Sequence, residues 1–310
     1  MIKLYLQAGL GNQLFQYAYA RFLQSKYNEP IIIDTYCCEK GEKNVPHEKC
    51  LLSKYKLNSD VFFEKNKWSG IKYYSLFLQK GILRKSLRLL GKREDEIFKI
   101  CVKHGIYASP NNYFFYPFYF TQKSNKRILG CWQNGHLWEE ISNNIRSEIV
   151  LKSDISTKTK FWEKRILNDP HSVCVHIRRG DYLNKKFQYL NICDYGYYKT
   201  AMEAMQQKDP KTRFYIFSNN YEEIDWIMHN YNFSEFNIFP VYGSEKAEED
   251  LYLISLCRNY IISNSTFSWW GQFLSSFPQR QVYAPSIWNP RLNDAGIYEK
   301  DWIRIECNNE

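Results

Sequence analysis

Ile2-Lys3-Leu4-Tyr5-Leu6-Gln7-Ala8-Gly9-Leu10-Gly11-Asn12-Gln13-Leu14-Phe15 opens the chain and decides how the rest is read. Residues 2–6 alternate like a strand and run into a glycine-bearing loop. Leu14, Phe15, Tyr17, Ala18 and Phe22 then recur at the three- and four-residue spacing of a helix. Ile31-Ile32-Ile33-Asp34 is a second short strand, ending in a carboxylate. Strand, glycine loop, helix, strand is how a parallel α/β sheet begins.

The second half repeats that grammar. Short apolar strands read at 173–177, 213–217, 237–241, 260–262 and 281–284, with helical patterns at 195–207, 222–230 and 248–257 between them. Alternation of this kind makes a doubly wound parallel sheet. Further signals are a strand at 128–132 and helices at 138–150 and 159–167. Asn168-Asp169-Pro170 is a break, so a domain boundary is expected between 155 and 170. The reading is two Rossmann-like domains, 1–165 and 166–310, with the final segment packing back on the first. Residues 40–127, rich in lysine and aromatics and weak in periodicity, read as a variable insert.

Composition bounds what such a chain does. Its 310 residues suit two domains, and 44% hydrophobic with 17% aromatic side chains excludes wholesale disorder. No apolar run approaches the roughly 18–20 residues of a membrane span, and residues 1–6 lack the long apolar region of a signal peptide. Nine cysteines without a Cys-x-x-Cys pair read as reduced, buried thiols in a cytosol, and His47-x-x-Cys50 is at most half a metal site. The formal charge is +9, but residues 1–170 carry a net +12 and residues 171–310 a net −3. Much of the excess lies in 65–103, where eleven Lys and Arg face only Glu94, Asp95 and Glu96. Within it, residues 73–93 mix leucines with cations as a basic amphipathic helix does, the kind that lies on an anionic membrane or packs its leucines on its own domain. A basic nucleic-acid-binding protein is an alternative. It predicts binding that weakens steeply with salt.

In open parallel sheets, ligands bind on the loops at the C-terminal strand ends. His176-Ile177-Arg178-Arg179-Gly180-Asp181 follows one strand with two guanidinium groups, a flexible glycine and a carboxylate. Arginine forks match phosphate oxygens and stay charged at any working pH. The competing reading is an Arg178–Asp181 structural bridge. Ser263-Asn264-Ser265-Thr266 follows another strand and precedes a helix, whose free N–H groups favour an anion. Trp269 and Trp270 read as core rather than as a sugar platform. The first loop lacks the third glycine of a dinucleotide fingerprint, having Leu14 there. The chain has no P-loop, no His-Glu-x-x-His and no Asp-x-Asp. No metal site is therefore expected, and a bound diphosphate must be neutralised by arginine and backbone dipoles.

Three blocks, Gly9-Leu10-Gly11-Asn12-Gln13-Leu14-Phe15-Gln16-Tyr17-Ala18, His176-Ile177-Arg178-Arg179-Gly180-Asp181-Tyr182 and Asn264-Ser265-Thr266-Phe267-Ser268-Trp269-Trp270-Gly271, together resemble the bacterial α-1,2-fucosyltransferases of glycosyltransferase family 11. The second block is shared more widely with α-1,6- and peptide-O-fucosyltransferases, while residues 36–127 match poorly. The resemblance implies a GT-B architecture and metal-independent, inverting transfer from GDP-L-fucose held by the C-terminal domain. By that resemblance Arg178 holds the β-phosphate, with Arg179 beside it. His176 and Asp250 contact guanine and ribose, Ser265 and Thr266 the phosphates, and Asp181 orients the Arg loop. Gly11, Asn12 and Gln13 face the transferred sugar or the acceptor. Arg178, Asp181 and Asn12 are then the residues expected to carry catalysis, and Asn219 is expected near the donor. Related enzymes commonly have Asp-Asp where this chain has Asn219-Asn220. The acceptor implied is a terminal galactoside on a glycan or lipid-linked oligosaccharide, in a bacterial cytoplasm, with peripheral contact at the inner membrane and no nucleic acid partner.

Overall fold

The computed structural model describes residues 1–40, 49–66, 68–109, 112–113, 117–292 and 295–307. The chain divides into two compact units, Met1–Lys152 with Ala295–Ile297, and Ser153–Asp294 with Tyr298–Glu310. His47, half of the metal pair weighed above, lies outside the described residues.

The first unit is a five-stranded parallel sheet. In chain order it contains β1 (Ile2–Tyr5), α1 (Leu10–Tyr27), β2 (Ile31–Asp34), α2 (Tyr36–Lys40), β3 (Val61–Glu64), α3 (Ser69–Leu89), α4 (Glu94–Lys103), β4 (Ile106–Ala108), β5 (Lys126–Leu129) and α5 (Ser142–Glu148). The strand order is β3-β2-β1-β5-β4, and Ile2 pairs with Ile31 on one side and Lys126 on the other. The chain therefore builds outward from β1, then returns to its other flank. α1 buries Gln13, Gln16 and Gln24 along with its apolar residues, as a helix enclosed on most sides must.

Several elements differ from the sequence reading, each for a local reason. The region read as an insert supplies two strands of this sheet, β3 and β4. The helix expected over 73–93 ends at Leu89. Gly91 adopts φ +74°, and the Glu96 carboxylate accepts the Arg93 N–H at 3.0 Å to start α4. β5 ends at Leu129 rather than 132 because Gly130 (φ +100°) and Trp132 (φ +55°) leave the extended region. The helix expected over 138–150 begins instead as a 3-10 turn, Gly135–Ile141, broken at Trp138.

The second unit contains α6 (Thr157–Leu167), β6 (Ser172–His176), α7 (Tyr195–Lys208), β7 (Arg213–Phe217), α8 (Tyr221–Asn230), β8 (Ile238–Pro240), α9 (Ala247–Ser255), β9 (Asn259–Ile261), α10 (Thr266–Phe273), β10 (Val282–Pro285) and β11 (Ile303–Ile305). All six strands are parallel, in the order β11-β10-β9-β6-β7-β8. β6 is buried at every residue, since helices cover both faces of such a sheet. Val173, Val175, Tyr198, Met202, Phe214 and Ile216 lie in one core. The chain runs from β6 to β7 to β8, then crosses to the opposite flank of β6 as β9. The crevice where strand order reverses thus lies between the ends of β6 and β9.

α6, expected to close the first domain, belongs to the second unit. Ser156 donates through Oγ to Glu249 at 2.7 Å, and the Trp162 indole donates to the Tyr242 carbonyl at 3.1 Å. The final strand likewise completes the second sheet beside β10. Only Ala295–Ile297 returns to the first unit, where a Cβ on Gly296 would stand 1.7 Å from the Tyr113 carbonyl oxygen. Among the described residues no helix is long and apolar enough to cross a membrane.

Candidate active site

The reversal crevice of the second sheet is closed by a side-chain bond between its two strand ends. His176, the last residue of β6, approaches the hydroxyl of Ser263, just beyond β9, at 3.1 Å through Nδ1. Burial, with the Arg178 charge adding to it, pushes this imidazole down to about 3, so it is neutral at physiological pH. Asn264 ties the next loop together. Its amide nitrogen donates to the Leu190 and Trp288 carbonyls at 2.8 and 3.1 Å, and its own carbonyl accepts the Tyr182 hydroxyl at 2.9 Å. Ser265 caps α10, accepting the Phe267 N–H at 3.3 Å, and Thr266 begins that helix half-buried. Trp269 and Trp270 are fully buried, so both indoles pack in the core.

The two arginines after β6 have different tasks. Arg178 directs Nε and Nη2 at one oxygen of Asp181, at 3.0 and 2.7 Å. The bridge weighed from sequence is therefore present, yet it occupies one edge of the guanidinium. Among the described residues nothing accepts from Nη1. Arg179 is held by three contacts. Nε donates to Glu223 at 2.7 Å, the guanidinium lies 3.2 Å from the Trp226 ring centre, and its backbone N–H donates to Asn219 Oδ1 at 3.2 Å. Its side chain ties the loop to α8 through Glu223 and Trp226. Gly180 turns there at φ +33°, and a Cβ would press within 2.7 Å of the Asn219 amide. Asn220 caps α8, accepting the Glu223 N–H at 2.9 Å. The Asn219-Asn220 pair thus serves the loop and the helix with neutral amides.

Asp250 sits in the first turn of α9, and a Cβ on Gly243 would meet its carboxylate at 2.4 Å. Burial and the nearby Glu249, Glu245 and Glu248 push it up to about 7. α9 packs on α10 closely enough that a Cβ on Gly271 would stand 2.1 Å from Ile254.

Gly11, Asn12 and Gln13 belong to the first unit, in the opening turn of α1. Asn12 accepts through Oδ1 from the Gln133 amide, which follows β5. That bond spans the β1/β5 reversal as His176–Ser263 spans β6/β9. Gln133 escaped the sequence reading, because nothing short of the strand order brings residues 121 positions apart together. Gly11 is buried. Gln13 is fully buried too, and its amide works inside the loop rather than facing outward. It donates to the Ala8 and Lys49 carbonyls at 2.9 and 3.2 Å and accepts the Leu51 N–H at 3.0 Å. Among the described residues no three His, Cys, Asp or Glu side chains converge as metal ligands would.

Two Rossmann-like units in one chain, each gathering its loops where strand order reverses, make a GT-B-like architecture. The family model for glycosyl transferase family 11 matches residues 1–306, and the chain belongs to that family. The alpha-1,2-colitosyltransferase of Escherichia coli is 27% identical to it, with 97% of each chain covered. The O-antigen biosynthesis glycosyltransferase WbnK of Escherichia coli is 25% identical, over 97% of this chain and 99% of its own. Among solved structures, NodZ alpha-1,6-fucosyltransferase soaked with GDP-fucose shares the fold with a TM-score of 0.51 at 15% identity, covering 93% of this chain and 96% of that one.

Proposed function

We propose that this family 11 glycosyltransferase transfers L-fucose from GDP-β-L-fucose to the 2-hydroxyl of a terminal galactoside, with inversion and without a divalent metal, during synthesis of a surface polysaccharide or O-antigen at the cytoplasmic face of the inner membrane. One observation carries the reading. Arg178 stands beside the β6/β9 reversal with one guanidinium edge fixed by Asp181 and Nη1 left to a ligand. Breaking the sugar–phosphate bond leaves an additional negative charge on GDP. A guanidinium held in place before the reaction stabilises that charge more in the transition state than in the ground state. The N–H groups opening α10, next to Ser265 and Thr266, supply further dipoles for phosphate. Asp250 and His176 serve the nucleoside.

On the first unit, Asn12 with Gln133 faces the transferred sugar or acceptor. A cavity of about 540 Å³ near the ends of β2 and β3, lined by Thr35, Glu39, Lys49, Phe63 and Glu64 among others, suits a sugar ring. Gln13, through the Lys49 carbonyl, positions that wall.

Incubating the protein with GDP-fucose and a panel of galactosides, with EDTA present, and reading the linkage by NMR tests the whole proposal. An α-1,2-fucoside is expected, and strict dependence on manganese or magnesium would refute the metal-free mechanism. The likeness to a colitosyltransferase favours one second reading, transfer of colitose. It predicts that GDP-colitose outcompetes GDP-fucose on the same acceptor.

A further inference from the structure

α3 is apolar on two opposite sides, and the first unit covers only one. Leu76, Leu83 and Leu87 turn inward against Tyr5, Ile97, Cys101 and Leu129. Leu78, Ile82 and Leu89 fall at the four- and seven-residue spacing of a second stripe, and they are 64%, 61% and 80% exposed. An ordinary surface helix is polar there. Exposed Lys85 lies in this outer stripe, while Lys92 and Arg93 beyond its end are paired with Glu96 and Asp95.

Beside that stripe is a basic pocket of about 690 Å³, whose lining includes Ser75 and Gln79 of α3 with Lys3, His104, Lys123 and Arg127, and no carboxylate. Lys3 is already paired with Asp34 and Glu64. Lys123 is exposed. Arg127 donates Nη2 to the His104 carbonyl at 3.1 Å, while its buried Nε meets no acceptor among the described residues. Apolar side chains facing water beside a pocket where Lys123 and Arg127 meet no carboxylate among the described residues match an anionic bilayer, whose acyl region takes the leucines and whose phosphates take the cations. A second copy of the chain fits worse, since it would bring two basic faces together.

We infer that α3 and the pocket beside it form a docking surface for an anionic phospholipid bilayer. This extends the reading of the enzyme as one that works at a membrane face, but its test does not depend on fucosyl transfer. The full chain is sedimented with vesicles of phosphatidylglycerol and phosphatidylcholine, and separately with phosphatidylcholine alone. Retention only on the anionic vesicles is expected. It should weaken as salt rises from about 0.1 M to about 1 M, because the screening length falls from about 10 to about 3 Å. Lys85→Gln with Lys123→Gln should lower the partition coefficient roughly 25-fold, about fivefold for each cation near the surface. Leu78→Ser with Ile82→Ser and Leu89→Ser changes only exposed positions, so it should keep the wild-type melting curve and lose retention.

Equal binding to both vesicle types would overturn the proposal, and so would retention unaffected by the serine changes. A dimer of the free chain that the serine changes dissolve would assign the stripe to a second copy. Release by millimolar inorganic phosphate, with the stripe irrelevant, would reduce the pocket to a free-anion site. Transfer to a soluble acceptor, measured alongside, should be unchanged in all of these variants, which keeps a failure of docking distinct from a failure of the assigned chemistry.

Discussion

At the scale of single residues, the site holds two arginines in different ways, Arg178 by Asp181 and Arg179 by Glu223 and Trp226. Arg178→Lys keeps the charge but loses the bidentate edge that Asp181 holds, and kcat with saturating donor should fall roughly 10²- to 10³-fold. Near wild-type turnover in that variant would remove Arg178 from the mechanism. Asp250 offers a check through pH. Its folded-state pKa of about 7 lies above the roughly 3.9 of an unfolded aspartate, so the folded protein holds a proton that the unfolded chain has released. Stability therefore falls as pH rises from about 4 to about 7, by up to about 1.4 kcal/mol per pH unit, and is level above that. Asp250→Asn should melt higher than wild type at pH 8 and converge with it near pH 4, while binding GDP more weakly. A melting difference independent of pH would show that the carboxyl is not strained by its surroundings. Sequence made Arg178 and Asp181 legible as a pair because they are three residues apart. It did not show the partners of Arg179, because Glu223 and Trp226, which hold it, come from a different βα unit.

Elements were legible where one face pattern dominates and obscure where two compete. β7 matches its expected span at both ends, since an apolar run buried from Phe214 to Phe217 and bounded by polar residues has one reading. The region from 60 to 108 gave up only the helix read over 73–93, because α3 carries apolar residues on two sides and β3 exposes Phe62 and Phe63. The α9–α10 pair shows what periodicity cannot convey. Trp269 and Trp270 bring bulk to α10, and Gly271 beside them removes it so that α9 can close in. Gly271→Ala should cost about 1–3 kcal/mol by overpacking against Ile254. Because α10 begins at the Ser265 cap and α9 carries Asp250, GDP affinity should fall with the melting temperature. A variant that melts lower yet binds GDP normally would show that the two helices adjust without moving the donor loops.

For the molecule as a whole, sequence conveyed two parallel α/β units and a charge imbalance between them, both sums over many residues. It did not convey where the chain changes units, which depends on a few contacts between distant positions. The turn at Ala295–Ile297 is the clearest case. Gly296→Ala should raise hydrogen exchange around residues 113 and 134, whose carbonyl and side-chain amide the added Cβ would meet. Protection lost only within 298–307 would contradict that assignment. The same turn bears on how the protein is made. A ribosome delivers the first unit's sheet early, and domains commonly fold in that order as they emerge. Here the last piece of the first unit is translated after almost all of the second, so the nascent half must wait, incomplete, for its closing residues.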